Sequence, residues 1–312
     1  METKEEAMDY LLIDAHAHLW LNVDTVVDGQ PIHALQPNRS RSLFFGEEVQ
    51  MLPPFLIDGR NTAEVFLSNM DYARVSAAVI TQEFIDGMQN DYLGEVARRY
   101  PDRFFVFGMA DYRVDGWFAK VQQLVESGFK GIKIPAARLT DVPLNSPAMM
   151  RLFDYLEQAH ELLGIELAEG HRQAAEMEEV VQTHPQLKVA IGHFGMSPRE
   201  GWRKQILLAR HHNVYIESGG ITWLYNDEFY PYPSAMRAIR EAADLVGIEK
   251  LMWGSDYPRT ITAITYKMSY DFVAKSSLLS DDEKRLFLGE NARRLFGFGQ
   301  LAKLPYIKNM SE

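Results

Sequence analysis

The stretch Val189-Ala190-Ile191-Gly192-His193-Phe194-Gly195, followed by a helical pattern over residues 202–211 and then by Val214-Tyr215-Ile216, decides the fold class. Two short apolar, β-branched runs flank one segment of helical spacing, the pattern of a βαβ unit with paired parallel strands. Working outward, the same alternation recurs. Apolar runs stand at residues 11–14, 77–81, 104–108, 131–134, 165–168 and 251–253. Helical patterns stand at residues 91–100, 117–127, 149–163, 174–183 and 234–246. Eight strands separated by helices predict an α/β fold, a closed (β/α)8 TIM barrel in preference to an open doubly wound sheet.

The period breaks once, over residues 19–76. This stretch carries Gly29-Gln30-Pro31, Leu43-Phe44-Phe45 and Met51-Leu52-Pro53-Pro54-Phe55 before a helical pattern at 61–70, with Asn61 or Thr62 as its N-cap. A connection of that length inside a compact domain is usually functional. After a barrel's first strand it lies at the C-terminal rim, so residues 19–60 are expected to form a lid or an interface loop. The tail, 280–298, reads as a last amphipathic helix opened by the cap signal Ser280-Asp281-Asp282-Glu283. With no repeat or linker, residues 1–312 are expected to form one barrel domain.

Composition narrows the function classes. The chain has 312 residues, of which 46% are hydrophobic, with 32 Lys+Arg against 43 Asp+Glu and a net charge of −11. That balance disfavours nucleic acid and anionic membranes, both of which recruit clustered basic residues. The start, METKEEAMDY, is acidic and polar rather than basic and apolar, so no secretory signal is expected and a cytoplasmic location is. The absence of Cys removes disulfides, thiolate metal sites and Cys nucleophiles.

The chemistry-bearing residues gather at strand ends. Asp14-Ala15-His16-Ala17-His18-Leu19-Trp20 ends the first strand. Residues i and i+2 of a strand share a face, so His16 and His18 point the same way and are well placed for one divalent metal. The sixth strand ends Ile191-Gly192-His193, and the eighth ends Trp253-Gly254-Ser255-Asp256-Tyr257-Pro258. In a barrel these ends converge on one rim. Three His and one Asp make a ligand set typical of Zn, Mn or Fe. Asp256 is also the candidate proton carrier for a water activated by the metal.

These three words, in this order and at these spacings, resemble the amidohydrolase superfamily. More narrowly they resemble its amidohydrolase-related group (amidohydrolase 2), which holds sugar-acid and dicarboxylate lactonases and aminocarboxymuconate-semialdehyde-type decarboxylases. The pattern His16-x-His18-x-Trp20 leans toward the lactonase branch. The resemblance implies a distorted barrel with a site at His16, His18, His193 and Asp256, His193 and Asp256 being the catalytic pair. Many members carry a ligating His at the end of strand 5; here Glu169 takes that place, with His171 as a second candidate. The implied cofactor is one divalent metal, Zn in preference to Mn, Fe or Co. The departure at strand 5 leaves open a metal-free route in which Asp256 activates water directly. The expected reaction is metal-dependent hydrolysis of a small polar lactone, or a related ester or amide, of a sugar acid or dicarboxylate. The alternatives are non-oxidative decarboxylation of an aromatic or muconate-type acid at the same site, and binding of a sugar acid without turnover.

Substrate-binding candidates follow from position. Lys133, between Ile132 and Ile134, points into the barrel if the Ile residues face the helices, and burial there requires a substrate or metal-site carboxylate. Arg259 is suited to grip a carboxylate bidentately. Trp20, Gln82, Glu217 and Trp223 stand at strand ends or just beyond, and His171 completes the set. The expected partner is a carboxylated or polyhydroxylated small molecule; the apolar residues of the long loop allow a homodimer. His33, His160, His184, His211 and His212 read as structural.

Overall fold

The computed structural model describes residues 10–301 and 303–310; residues 1–9, on which the absence of a secretory signal was read, lie outside them. Eight parallel strands build the barrel: β1 (Ile13–His18), β2 (Ala77–Thr81), β3 (Phe104–Val106, resumed at Gly108–Met109 after Phe107), β4 (Gly131–Ile134), β5 (Leu162–Ile165), β6 (Val189–Ile191), β7 (Val214–Glu217) and β8 (Leu251–Met252). Adjacent strands pair in sequence order. The ring closes where Ala15 N–H donates to Trp253 O at 2.8 Å and His18 N–H donates to Tyr257 O at 2.7 Å.

Strands covered on both faces read as continuous apolar runs, and β1, β2, β4, β5 and β6 are buried throughout. Alternation then sorts their side chains. Ile80, Ile132, Ile134, Leu163, Ile165 and Ile216 pack outward against the helices. Ile13, Ala15, Ala77, Val79, Phe107 and Ala190 form a separate inner cluster. The connecting helices include α1 (Ala63–Tyr72), α2 (Asn90–Arg99), α3 (Trp117–Glu126), α4 (Pro147–Ala159), α5 (Arg172–Thr183) and α6 (Trp202–Leu207). Among the described residues no helix is long and apolar enough to cross a membrane.

Three departures from the sequence expectation matter. First, β5 begins three residues earlier than read. Helix α4 stops at Ala159 because His160 adopts a left-handed cap (φ 58°), which frees Leu162 and Leu163 for the strand. Gly164, which lies between the helical pattern and the apolar run, is a strand residue. A Cβ there would stand 2.9 Å from the Phe107 ring, so only glycine lets the ring fill the barrel floor. Second, residues 19–60 are not an irregular loop. They hold an antiparallel sheet of four strands (Asp24–Val27, Gln30–Ala34, Arg41–Phe44, Glu47–Gln50). Asp28 and Gly29, both at positive φ, turn its first hairpin, and Phe45-Gly46 turn its last. Trp20 and Asn61 exchange backbone hydrogen bonds at 2.9 and 3.0 Å, so the insertion leaves and rejoins the barrel at one point. Third, the tail is segmented: Asp281–Arg285, a π-turn at Leu286–Glu290, then Asn291–Phe296. Its Ser280–Glu283 capping box is present as read. Leu295 and Phe296 join the inner cluster and close the floor opposite the candidate site.

Candidate active site

The register of β1 shifts between Asp14 and Ala17. Ala15 therefore packs in the inner cluster while His16 and His18, still two apart, both face the mouth; a bulge re-aims side chains in this way. Asp14 secures the arrangement. Fully buried, it accepts hydrogen bonds from Ser255 N (2.8 Å), Ser255 Oγ (2.5 Å), Tyr266 Oη (2.8 Å) and His16 N (3.1 Å), tying β1 to the turn after β8. That turn sets Asp256 at φ 60°, a conformation costly for a non-glycine residue and held here by Asp256 N–H donating to His16 O at 2.9 Å.

Three side chains then meet. His16 Nε2 lies 3.0 Å from His18 Nε2, and Asp256 Oδ1 lies 3.6 Å from the first and 3.3 Å from the second. Each imidazole is fixed from behind through Nδ1: His16 by Glu217 Oε1 at 2.7 Å, His18 by Asp86 Oδ2 at 2.6 Å. His193 joins from β6, its ring centroid 4.7 Å from that of His16, with Nδ1 against Gly219 O at 2.9 Å. Its Nε2 faces Glu166 Oε1 at 3.4 Å, and that oxygen also accepts from Lys133 Nζ at 2.6 Å. Gly219 is required: a Cβ there would stand 2.6 Å from His16 Cγ. Trp223 Nε1–H donates to Asp256 Oδ2 at 2.6 Å. Two donor triads, His16–His18–Asp256 and His16–Glu166–His193, each lie within 4.8 Å.

The electrostatics follow from burial and pairing. Burial lowers the pKa of His16, with the neighbouring His193 and His18 adding to it against the pull of Glu217. Burial also acts to lower His18, but Asp86 and Asp256 overcome it and push His18 up to about 10. His193 is pushed up to about 9 by Glu166, Asp256 and Glu217, again against burial. Burial opposes ionisation of Asp256, yet Arg259 and His18 hold it below the usual carboxylate range. Glu166, buried beside Lys133 and His193, is held well below it. Burial pushes Asp14 up to about 7, against the hydrogen bonds it accepts from Ser255, the His16 N–H and Tyr266.

A pocket of about 490 Å³ opens above these groups, lined by His18, Glu166, His193, Trp223 and Asp256 among others. A larger cleft of about 700 Å³ lies outside the barrel between α2 and α3 and contains none of them.

The predicted residues divide clearly. His16, His18, His193 and Asp256 come together. Lys133 points inward and meets the carboxylate of Glu166; Arg259 lines the pocket beside Asp256. Glu217 is behind His16 rather than open to a substrate. Trp20 and Gln82 are buried and structural: Trp20 Nε1–H donates to Gly59 O, and Gln82 Nε2 donates to Asn90 Oδ1 and Phe107 O. Glu169 and His171 are displaced by the earlier start of β5. Glu169 is half exposed at the pocket rim and paired with Arg199, and His171 is exposed, with Glu200 as its nearest anion at 3.6 Å. Glu166, the residue directly after β5, takes the inward position that sequence reasoning gave to Glu169. Asp86, Glu83 and Arg138 carried no motif and were missed; their signal is only their place after β2 and β4.

The amidohydrolase family model matches residues 13–298, and the chain belongs to that family. An L-fucono-1,5-lactonase of Burkholderia ambifaria is 26% identical over 235 residues, covering 72% of this chain and 78% of the relative. A probable 2-pyrone-4,6-dicarboxylic acid hydrolase from Acinetobacter baumannii, solved with citric acid bound, superimposes with a TM-score of 0.67 at 20% identity over 92% of this chain and 99% of its own. A 5-carboxyvanillate decarboxylase from Novosphingobium aromaticivorans, solved with manganese and a nitrobenzoic acid, gives 0.63 at 17% identity over 93% and 97%. At these identities the two structures establish the shared barrel.

Proposed function

We propose that this member of the amidohydrolase family opens a small polar lactone by metal-assisted hydrolysis, with His16, His18 and Asp256 holding one divalent ion and His193 and Glu166 beside it. The observation that carries the proposal is the convergence of two imidazole Nε2 atoms and a carboxylate oxygen on one point at the mouth of a pocket. The donor set fits such an ion. Both Nδ1 atoms face carboxylates, which turns both Nε2 atoms toward one point 3.0 Å apart beside Asp256 Oδ1, where they can share a cation: the proton that the raised pKa of His18 places there, or a divalent ion that displaces it. A divalent ion bound there polarises a carbonyl and lowers the pKa of a nearby water to roughly 7.

The chain's own residues supply the rest. Asp256, kept ionised, accepts the proton of the attacking water and returns it to the ring oxygen as the acyl–oxygen bond breaks. Trp223 Nε1–H, at 2.6 Å, fixes Oδ2 and so sets the direction of Oδ1. Lys133 keeps Glu166 ionised and forward. His193, its Nδ1 held by Gly219 O, presents Nε2 toward the pocket, where it can donate to a substrate oxygen. The 26% identical lactonase supports lactone hydrolysis over the other family reactions.

A pH-stat assay tests the proposal: metal-supplemented protein is given L-fucono-1,5-lactone and 2-pyrone-4,6-dicarboxylate, and CO2 release is measured in parallel from 5-carboxyvanillate. Acid release from a lactone is expected. CO2 release without acid release from any lactone contradicts the proposal.

A further inference from the structure

We infer that Arg138 and Arg259 form a pair of carboxylate grips at the pocket mouth, so that the substrate is a carboxylated lactone rather than a neutral one; this rests on the lactone-hydrolysis reading and narrows it.

Arg138 ends the short turn Ala136–Arg138 that follows β4. Arg259 stands three residues beyond Asp256, after β8. Strands β4 and β8 face each other across a closed ring of eight, so the two guanidinium groups reach the same pocket from opposite sides. The other Lys and Arg of this pocket region are already committed: Lys133 to Glu166, and Arg199 to Glu169. Arg138 and Arg259 are held more loosely: Arg138 meets Glu83 through Nε alone, and Arg259 stands 3.9 Å from Asp256, with Asp86, Glu83 and Glu166 acting on it from farther off.

Arg138 is braced rather than consumed. Its Nε faces Glu83 Oε1 at 3.1 Å, and its guanidinium lies 5.3 Å over the ring of Phe45, contributed by the inserted sheet. Glu83 is in turn pinned, with Ile85 N–H donating to its carboxylate at 3.0 Å. Neither terminal nitrogen of Arg138 donates a hydrogen bond among the described residues. Arg259 donates no hydrogen bond among the described residues. Its nearest anion, Asp256 Oδ2, lies 3.9 Å away and already accepts the Trp223 indole N–H. Its side chain is 43% exposed at the pocket wall.

A planar guanidinium with a free edge matches a carboxylate in a two-point contact, and a sugar hydroxyl satisfies it far less well. Two such edges facing one pocket favour a lactone bearing a carboxylate at one end, or at both. The inserted sheet acquires a specificity role here, since Phe45 is the surface on which Arg138 lies.

The test compares 2-pyrone-4,6-dicarboxylate with its dimethyl ester, which keeps the ring and removes both charges. Two charge-assisted contacts predict a preference in kcat/KM of at least about 10²-fold for the diacid. Arg138→Met and Arg259→Met should each cut that preference by about tenfold or more, and Arg138→Lys, which keeps charge but loses the fork, should lie between. Calorimetric binding of the diacid to the Asp256→Asn protein gives a readout without turnover, and the Arg substitutions should weaken it by about tenfold each. Equal turnover of diacid and diester, or a preference that survives both Met substitutions in folded protein, overturns the grips while leaving lactone hydrolysis standing. If neither compound is opened, the calorimetry decides: Arg-dependent diacid binding upholds the grips, Arg-independent or absent binding overturns them; the hydrolase reading itself fails only if L-fucono-1,5-lactone is not opened either.

Discussion

Asp256 occupies a left-handed backbone position, and the chain spends several contacts to keep it there: the His16 carbonyl, the Asp14–Ser255 clasp and the Trp223 indole. Strain retained at one polar residue at a pocket mouth points to use of that residue. Asp256→Asn keeps the shape and removes the base, and it should lower kcat by at least about 10²-fold without changing the circular dichroism spectrum; near-full turnover would remove Asp256 from the chemistry. Trp223→Phe deletes one hydrogen bond to a charged group, so kcat should fall roughly tenfold with KM little changed. A KM effect alone would make Trp223 a contact for the substrate and not a brace for Asp256. At this scale the sequence was informative where a residue ended a strand in a recognisable word, as with His16, His18, His193 and Asp256. It was silent on Glu166, Asp86 and Arg138, because nothing in a local pattern tells which loop carboxylate or guanidinium turns inward.

Among the elements, β5 shows why boundaries are hard to read. Leu162-Leu163-Gly164-Ile165 extends the apolar spacing of α4, so periodicity favours helix through residue 163. The helix ends instead at His160, and the cost of that turn is offset by packing of Leu163 and Ile165 outward and of Phe107 against Gly164. A methyl group at 164 meets the Phe107 ring, so Gly164→Ala should destabilise by about 1–3 kcal/mol in chemical denaturation; an unchanged midpoint would mean that the ring is free to move. At the tail, Ser280→Ala removes one half of the capping box and should cost about 1 kcal/mol. Glu283 adds a pH dependence. Hydrogen bonding from Arg240 at 2.6 Å, helped by Ser280, lowers its pKa to about 2. A carboxylate whose folded pKa is depressed contributes stability that is fully present above its unfolded value and is lost as pH falls toward the folded one. Melting temperatures measured from about pH 5 down to pH 2 should therefore fall more steeply for the natural protein than for Glu283→Gln, and parallel curves would discount the pair.

For the molecule as a whole, the barrel was legible because its strands are buried on both faces and so read as plain apolar runs, and because strand order in a parallel ring follows chain order. The inserted sheet was not, although Asp28-Gly29 is a hairpin signal: its strands are short and largely exposed, with little apolar alternation. It nonetheless matters to the site, through Phe45 and through Gln89, which donates to Asn22 O at 2.9 Å and ties the insertion to the loop carrying Asp86. The molecule thus gathers its chemistry from four strand ends onto one point. Metal analysis of the purified protein, with titration of manganese or zinc into metal-stripped wild type and His18→Ala, measures that convergence directly. One divalent ion per chain is predicted, with binding weakened at least about tenfold by the substitution; a wild type that takes up no ion, or a His18→Ala protein that binds as tightly as wild type, would contradict it.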